Sequence, residues 1–150
     1  MDPGSQQEAS REFDRARDCL AADNPVAAMG HLEKALKGND NPEWYSYLGY
    51  CIARERGQYR KGMELCCRSI EADGTNPLHY LNLAKIHLLS NNKEEAIAVL
   101  REGLSKGGNE EVETMLKEVG ARKPPVLSFL DRDNPINKYL GLLLSRVGLR

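Results

Sequence analysis

The sequence of 150 residues predicts an all-α protein in which helix–turn–helix units stack into a solenoid. Three observations lead to this prediction. Small and apolar residues recur at an interval of 34 residues, no segment alternates as a strand would, and turns rich in Asn, Asp and Pro separate the repeated segments. A unit of this size cannot bury its apolar face alone, so stacked neighbours must bury it jointly.

The second helix of each unit carries the clearest repeat. The segments NPVAAMGHLEKAL (24–36), QYRKGMELCCRSI (58–70) and NKEEAIAVLREGL (92–104) align without gaps. Small residues in this alignment predict close contacts between paired helices, and the apolar residues one turn later predict a core ladder. The predicted packing residues of these helices are Ala28, Leu32, Ala35, Gly62, Cys66, Ser69, Ala96, Leu100 and Gly103.

The first helix of each unit follows the same logic. The segments FDRARDCLAA, WYSYLGYCIARERG and HYLNLAKIHLLSNN align on Ala16, Gly49 and Ala84, which are predicted to pack against the second helices. The intervals here are 33 and 35, so one inter-helix turn has gained a residue, which we place around RERGQY. Asn-Pro pairs precede later helices, with Asn as the cap and Pro in the first turn.

Units of this length, with small residues at two packing points and Pro at the junctions, resemble tetratricopeptide repeats (TPRs). The resemblance covers about residues 10–108 and implies a right-handed α-solenoid. Arg15 stands where the family favours an apolar residue, and Gly62 replaces its usual Ala, so we expect poorer packing there. The implied units are about 10–41, 42–76 and 77–108.

The segments that flank the repeats complete the predicted organisation. We expect residues 1–9 to be disordered or partly added by cloning, and NEEVETMLKEVG (109–120) to form a capping helix. Residues 121–150 contain a Pro-rich linker and then an amphipathic helix with an apolar stripe over 134–148. This helix either folds back on the solenoid or binds a second copy or a partner. The tail resembles those of small bacterial repeat proteins.

Composition excludes several classes of function. A formal net charge of -1 disfavours a nucleic-acid binder, and no run of about 20 apolar residues is present to span a membrane. The four cysteines show neither disulfide-framework nor metal-site spacing, so we predict reduced thiols, a cytoplasmic protein and no bound metal or other cofactor. No catalytic constellation is recognisable, and we predict that the chain is not an enzyme.

The resemblance also implies a binding site, because the first helix of each TPR lines a groove that receives a peptide or helix of a partner. The clamp with which one subclass grips chaperone C-termini is absent, since its places read Phe13, Arg17, Tyr47, Leu78 and Asn82. We expect instead a partner segment that is acidic or aromatic, bound by a non-enzymatic interaction module. A secretion or assembly chaperone and a regulatory subunit of an enzyme are the alternatives. The predicted groove residues are Phe13, Arg17, Tyr47, Tyr50, Arg54, Leu81, Asn82, Lys85 and Leu89.

Overall fold

The computed structural model describes residues 2–120, 135–146 and 148, and it divides the chain into two compact units, 1–119 and 120–150. All secondary structure in these residues is helical, as predicted. A 3-10 turn, Pro42–Trp44, leads directly into α3. The helices are α1 (Pro3–Ala21), α2 (Pro25–Gly38), α3 (Tyr45–Arg56), α4 (Tyr59–Ala72), α5 (Pro77–Leu89), α6 (Lys93–Gly107), α7 (Glu110–Gly120) and α8 (Pro135–Arg146).

Asparagine side chains cap several of these helices. The Oδ1 atom of Asn24 accepts a hydrogen bond from the backbone N–H of Ala27 at 3.1 Å, and Asn76 caps α5 by accepting from the N–H of Leu78 at 3.0 Å. A proline follows both caps at the start of the helix, where its missing N–H costs nothing. These two Asn-Pro pairs therefore mark true helix starts.

The turn inside each hairpin contains one residue with left-handed backbone conformation. These residues are Asp23 (φ 57°), Gly57 (φ 64°) and Asn91 (φ 60°), and they lie 34 residues apart. Gly, Asn and Asp are the residues that adopt this conformation most readily. Each lies five positions before the small residue of the second helix, so the extra residue of the middle unit lies within α3, before Gly57. The prediction that the inter-helix turn gained this residue is therefore wrong.

Neighbouring helices pair as the repeat predicts: α1 packs against α2, α3 against α4, and α5 against α6. Contacts between α2 and α3, and between α4 and α5, join one pair to the next. Leu32, Cys66 and Leu100 are each 0% exposed and belong to three successive core clusters. The twelve predicted packing residues are all buried: Ala16, Ala28, Leu32, Ala35, Gly49, Gly62, Cys66, Ser69, Ala84, Ala96, Leu100 and Gly103.

The N-terminal segment departs from the prediction of disorder for residues 1–9. Helix α1 begins at Pro3, and Ala9 is 2% exposed in a cluster with Ala35 and Trp44. The Oγ atom of Ser5 also donates a hydrogen bond to the carbonyl oxygen of Gly38 at 3.2 Å. Polar composition suggested disorder, but this segment is anchored by tertiary contacts with α2 and the following turn.

Helix α7 ends the first unit and packs on its last core cluster. Asn109 caps α7, because its Oδ1 atom accepts from the N–H of Glu111 at 2.8 Å. Val112 is fully buried in the cluster of Leu81 and Leu100, with Met115 and Leu116 packed against it. These contacts cover apolar surface at the end of the helix stack.

Helix α8 lies in the second unit. Tyr139, Leu142 and Leu143 are spaced to share one helical face and are 68%, 65% and 47% exposed. The predicted linker and Val147, at the end of the predicted stripe, lie outside the described residues.

Candidate functional site

A cavity of about 570 Å³ lies between the first helices of the hairpins. Helices α1, α3 and α5 form its walls, and the first turn of α7 contributes Glu111. Its volume is in the range typical of ligand pockets. Six of the nine predicted groove residues line it: Arg17, Tyr47, Tyr50, Leu81, Asn82 and Lys85.

The other three predicted residues do not line the cavity. Phe13 turns toward the core, where its ring stacks on Trp44 at 4.8 Å and meets the edge of Tyr47 at 5.1 Å. Arg54 lies at the margin and pairs with Asp23. Leu89, at the C-terminal end of α5, is 40% exposed. The repeat register placed all three residues on the groove helices. It could not show in which direction the side chains of Phe13, Arg54 and Leu89 would pack.

Seven further residues line the cavity without having been predicted. Three come from the same face of α1 as Arg17, at helical spacings that the sequence could have revealed. Asp18 also lies on α1, and Leu78 lies on α5. Asp23 belongs to the turn after α1, and Glu111 to α7, whose approach to the groove depends on how successive helices stack. The residues are Asp14, Asp18, Leu20, Ala21, Asp23, Leu78 and Glu111.

A chain of contacts fixes one side of the cavity. Arg54 donates from one guanidinium nitrogen to Asp23 Oδ1 at 2.6 Å and to the hydroxyl of Tyr50 at 3.0 Å. The Nζ atom of Lys85 in turn lies 5.2 Å from the centre of the Tyr50 ring, a cation–π contact. The hydrogen bond from Arg54 lowers the pKa of Asp23, so this carboxylate stays ionised. The Tyr50 ring is thus held in place beside the ammonium group.

Lys85 is the unusual charge of the site. Its side chain is half-buried, and burial lowers the pKa of its ammonium group, an effect that Glu111 opposes. No carboxylate of the described residues lies within ion-pair distance of it. Burial also raises the pKa of Tyr47, which keeps that phenol protonated. The cavity therefore presents one partly desolvated cation beside two tyrosine rings.

A buried polar network supports the floor of the cavity. The Nδ2 atom of Asn82 donates to Ser46 Oγ at 3.1 Å, and the same oxygen lies 2.9 Å from Nδ1 of His79. The backbone N–H of Ser46 donates to Ser69 Oγ at 2.8 Å. Asn82 is only 4% exposed, so it positions the floor through this network and offers little surface to a ligand.

Other kinds of site are not evident in the part of the chain that the structure describes. None of its His, Cys, Asp and Glu side chains form a group of three or more that could hold a metal ion. Among the described helices, none has the combination of length and apolar character needed to cross a bilayer.

Comparison with known proteins identifies the fold. No family model and no curated protein matches the sequence. The TPR domain of Arabidopsis OM64 superposes with a TM-score of 0.60 at 16% identity, covering 77% of this chain and 96% of that one. The fold is a TPR-type fold. This likeness confirms the predicted all-α solenoid.

Some of the similar structures contain bound peptides. The second TPR domain of human RPAP3, in complex with the HSP70 peptide SGPTIEEVD, has a TM-score of 0.58 at 15% identity, covering 79% of this chain and 99% of that one. The Yersinia enterocolitica type III secretion chaperone SycD, in complex with a peptide of the translocator YopD, has a TM-score of 0.57 at 16% identity. The superposition with SycD covers 79% of this chain and 97% of SycD.

Proposed function

We propose that this chain is a non-enzymatic protein-interaction module, which binds a segment of a partner protein in the cavity between α1, α3 and α5. The observation that supports this most directly is Lys85, a half-buried cation that lies over Tyr50 and has no carboxylate within ion-pair distance among the described residues. Burial without a counter-charge weakens a cation's solvation, and a ligand carboxylate or carbonyl would restore it. The peptides bound by RPAP3 and SycD support the same use of the fold here.

The chemistry of the partner segment follows from the lining. Tyr47 and Tyr50 suit an aromatic or apolar side chain, and Lys85 and Arg17 suit an acidic one, in agreement with the expectation from sequence. The chaperone-tail clamp is absent, so the segment recognised by RPAP3 is not proposed as the ligand.

A capture experiment tests the proposed function. The full chain carrying Tyr50→Ala and Lys85→Glu should lose the partner that the wild-type chain retains from an extract of its source organism. Lys34→Glu, an exposed charge reversal on α2, is the matched control and should retain that partner. If the double variant captures the same partner as the wild type, the site lies elsewhere on the protein.

The likeness to SycD favours a secretion or assembly chaperone as the second candidate. A chaperone would hold an otherwise insoluble client, whereas a regulatory subunit would change the activity of a partner that is soluble without it. Co-expression with the captured partner separates the two: solubility of the partner only in the presence of this chain would favour the chaperone.

We further propose that the repeats divide at 10–41, 42–76 and 77–108, with 109–120 as the capping helix. Burial of Val112 against the last core cluster supports the capping role of α7. All four cysteines are free thiols, which supports a reducing, cytoplasmic location.

Residues 134–148 are proposed to mediate self-association with a second copy. The exposed face of Tyr139, Leu142 and Leu143 supports this, because three large apolar side chains on one short helix gain from mutual burial. The average mass in solution should fall on dilution for the wild type and stay monomeric for Leu142→Glu. Ser145→Glu, on the same helix, should behave like the wild type. A wild type that stays monomeric at high concentration would contradict self-association.

A further inference from the structure

Carboxylates outnumber cations among the charged residues that line the cavity. Asp14 and Asp18 lie on α1, and Lys85 lies on α5 at the opposite wall. The α1 wall also carries Arg17 and is net acidic, and Lys85 is the cation of the opposite wall, while Glu111 lines the cavity from α7. We refer to the first two as the acidic wall and the cationic wall.

Arg17 offsets only part of the negative charge of the acidic wall. Asp14 and Asp18 are exposed and make no ion pair with any residue in the described ranges, whereas Asp23 is paired with Arg54. Two carboxylates four residues apart on a helix are neighbours, and like charges at that spacing repel each other. A cation from a ligand would relieve this repulsion, and a second set of carboxylates would increase it.

The cationic wall, in contrast, requires a negative charge from the ligand. Lys85 is half-buried, its ammonium group contacts the Tyr50 ring at 5.2 Å, and it has no ion-pair partner in the described residues. Because the group is partly shielded from water, a carboxylate that reaches it forms a stronger hydrogen bond than one at the surface. One acidic side chain of a ligand fits here.

Apolar surface connects the two walls. Tyr47 on α3 meets Phe13 of α1 at 5.1 Å, and Tyr50 one turn later meets Lys85 of α5. Helix α3 therefore carries a tyrosine toward each wall. Leu20 and Leu78 add apolar lining from α1 and α5.

From this arrangement we propose that the cavity selects a partner segment of mixed charge. The segment carries Lys or Arg side chains that bind Asp14 and Asp18, an apolar or aromatic side chain for the tyrosines, and one Asp or Glu for Lys85. This inference rests on the proposed function and specifies its ligand. A uniformly acidic segment is disfavoured, because it would place carboxylates against an acidic wall.

Selection from a library tests the composition of the ligand directly. A random library of 12-residue peptides, displayed without free termini, is selected on the full chain, and peptides that also bind the Tyr50→Ala/Lys85→Glu variant are discarded. Peptides that combine basic and acidic residues around an apolar one should be enriched. Enrichment of uniformly acidic or uncharged peptides would overturn the mixed-charge proposal and leave the binding function intact. If no peptide depends on Tyr50 and Lys85, both proposals are wrong.

Charge reversal of the acidic wall provides the second test. Asp14→Lys with Asp18→Lys should weaken binding of the enriched synthetic peptides at least about tenfold. The difference in affinity between this variant and the wild type should decrease as salt is added. Replacing the basic residues of those peptides with Glu should restore binding to this variant. Glu8→Lys, an exposed charge reversal on α1 away from the cavity, is the control and should bind as the wild type does. Equal affinity of the wild type and the Asp14/Asp18 variant would overturn the proposal.

Discussion

Gly49 on α3 and Gly62 on α4 face each other so closely that a methyl group on either one would lie 2.5 Å from the carbonyl oxygen of the other. Both contacts are with backbone, which cannot move aside as a side-chain end can. From sequence, Gly62 in place of Ala was expected to loosen the packing of the middle unit. The structure reverses this interpretation, because a glycine pair allows α3 and α4 to approach more closely than an alanine would permit.

Substitution of either glycine should therefore destabilise the protein. Gly62→Ala and Gly49→Ala force the helices apart, and each should cost about 1–3 kcal/mol in the free energy of unfolding. Gly30→Ala is the control, since it lies in α2 with no atom within 4 Å of the added methyl group. It should stabilise by about 0.5–1 kcal/mol through helix propensity. Urea denaturation measures all three, and a stabilised Gly62→Ala would show that the helices are not in this close contact.

The third pair of helices allows the same register to be tested by overpacking. Ala96 is 0% exposed in a core cluster with Leu81 and Leu100, so Ala96→Leu should cost about 1–3 kcal/mol. Ala98 lies two residues away on the exposed face of α6, and Ala98→Leu should change stability little. Thermal melting distinguishes the two. An unchanged melting temperature for Ala96→Leu would mean that the predicted register of α6 is wrong.

How far the sequence determined the fold can be seen in particular residues. Ala28, Gly62 and Ala96 recur at constant intervals, and the structure buries all three. Helix starts could also be predicted from the sequence, because an Asn cap precedes a Pro in the first turn. The helix at Pro3 was missed although Asp2 and Pro3 give the same cap-and-proline signal, because the polar composition of the segment indicated disorder. Its order depends on contacts such as that of Ser5 with Gly38, which are distant in the chain.

The candidate site was predictable only in part, for a related reason. Register within a repeat placed Tyr47, Tyr50 and Lys85 on groove helices, and these side chains do line the cavity. Register could have indicated Asp14, because it falls in the same repeat column as Tyr47 and Asn82. It could not indicate Asp18, whose column holds the buried Cys51 and Ile86. Glu111 reaches the cavity from outside the repeats, through the stacking of α7.

The cysteines should differ sharply in reactivity. Cys51 and Cys66 are both 0% exposed, and burial raises the pKa of Cys51 to about 12. A buried protonated thiol is a poor nucleophile, so neither should react with a thiol reagent until the protein unfolds. Cys67 is exposed and should be labelled in the folded protein. The reaction should be slow at neutral pH, because partial desolvation of the thiol, followed by the charges of Glu71 and Glu64, raises the pKa of Cys67. Mass spectrometry after labelling in buffer and in urea identifies each site; rapid labelling of Cys66 in buffer would contradict its place in the core.

Stability should fall as the solution is acidified below neutral pH, and His79 should account for part of that loss. Its side chain is fully buried, its Nδ1 atom lies 2.9 Å from Ser46 Oγ, and its Nε2 atom has no partner among the described residues. Burial lowers the pKa of His79 below its ordinary value of 6.5, although Asp73 and Glu43 oppose the shift. The unfolded chain therefore binds a proton at a pH where the folded protein does not.

The expected pH dependence follows from that difference in proton uptake. The free energy of unfolding should decrease from about pH 7 downward, by at most about 1.4 kcal/mol per pH unit for this one group, and the loss should end below the folded pKa. His79→Gln should reduce the slope between pH 7.5 and 5.5, whatever its effect at pH 7.5. Burial also lowers the pKa of His87, so His87 contributes to the slope in the same direction and His87→Gln serves as the comparison. The double variant should show the smallest dependence of the free energy of unfolding on pH. Urea denaturation at several pH values measures these slopes. If His79→Gln and the wild type show the same slope, the imidazole is protonated equally in the folded and unfolded states and the buried network contains room for its charge.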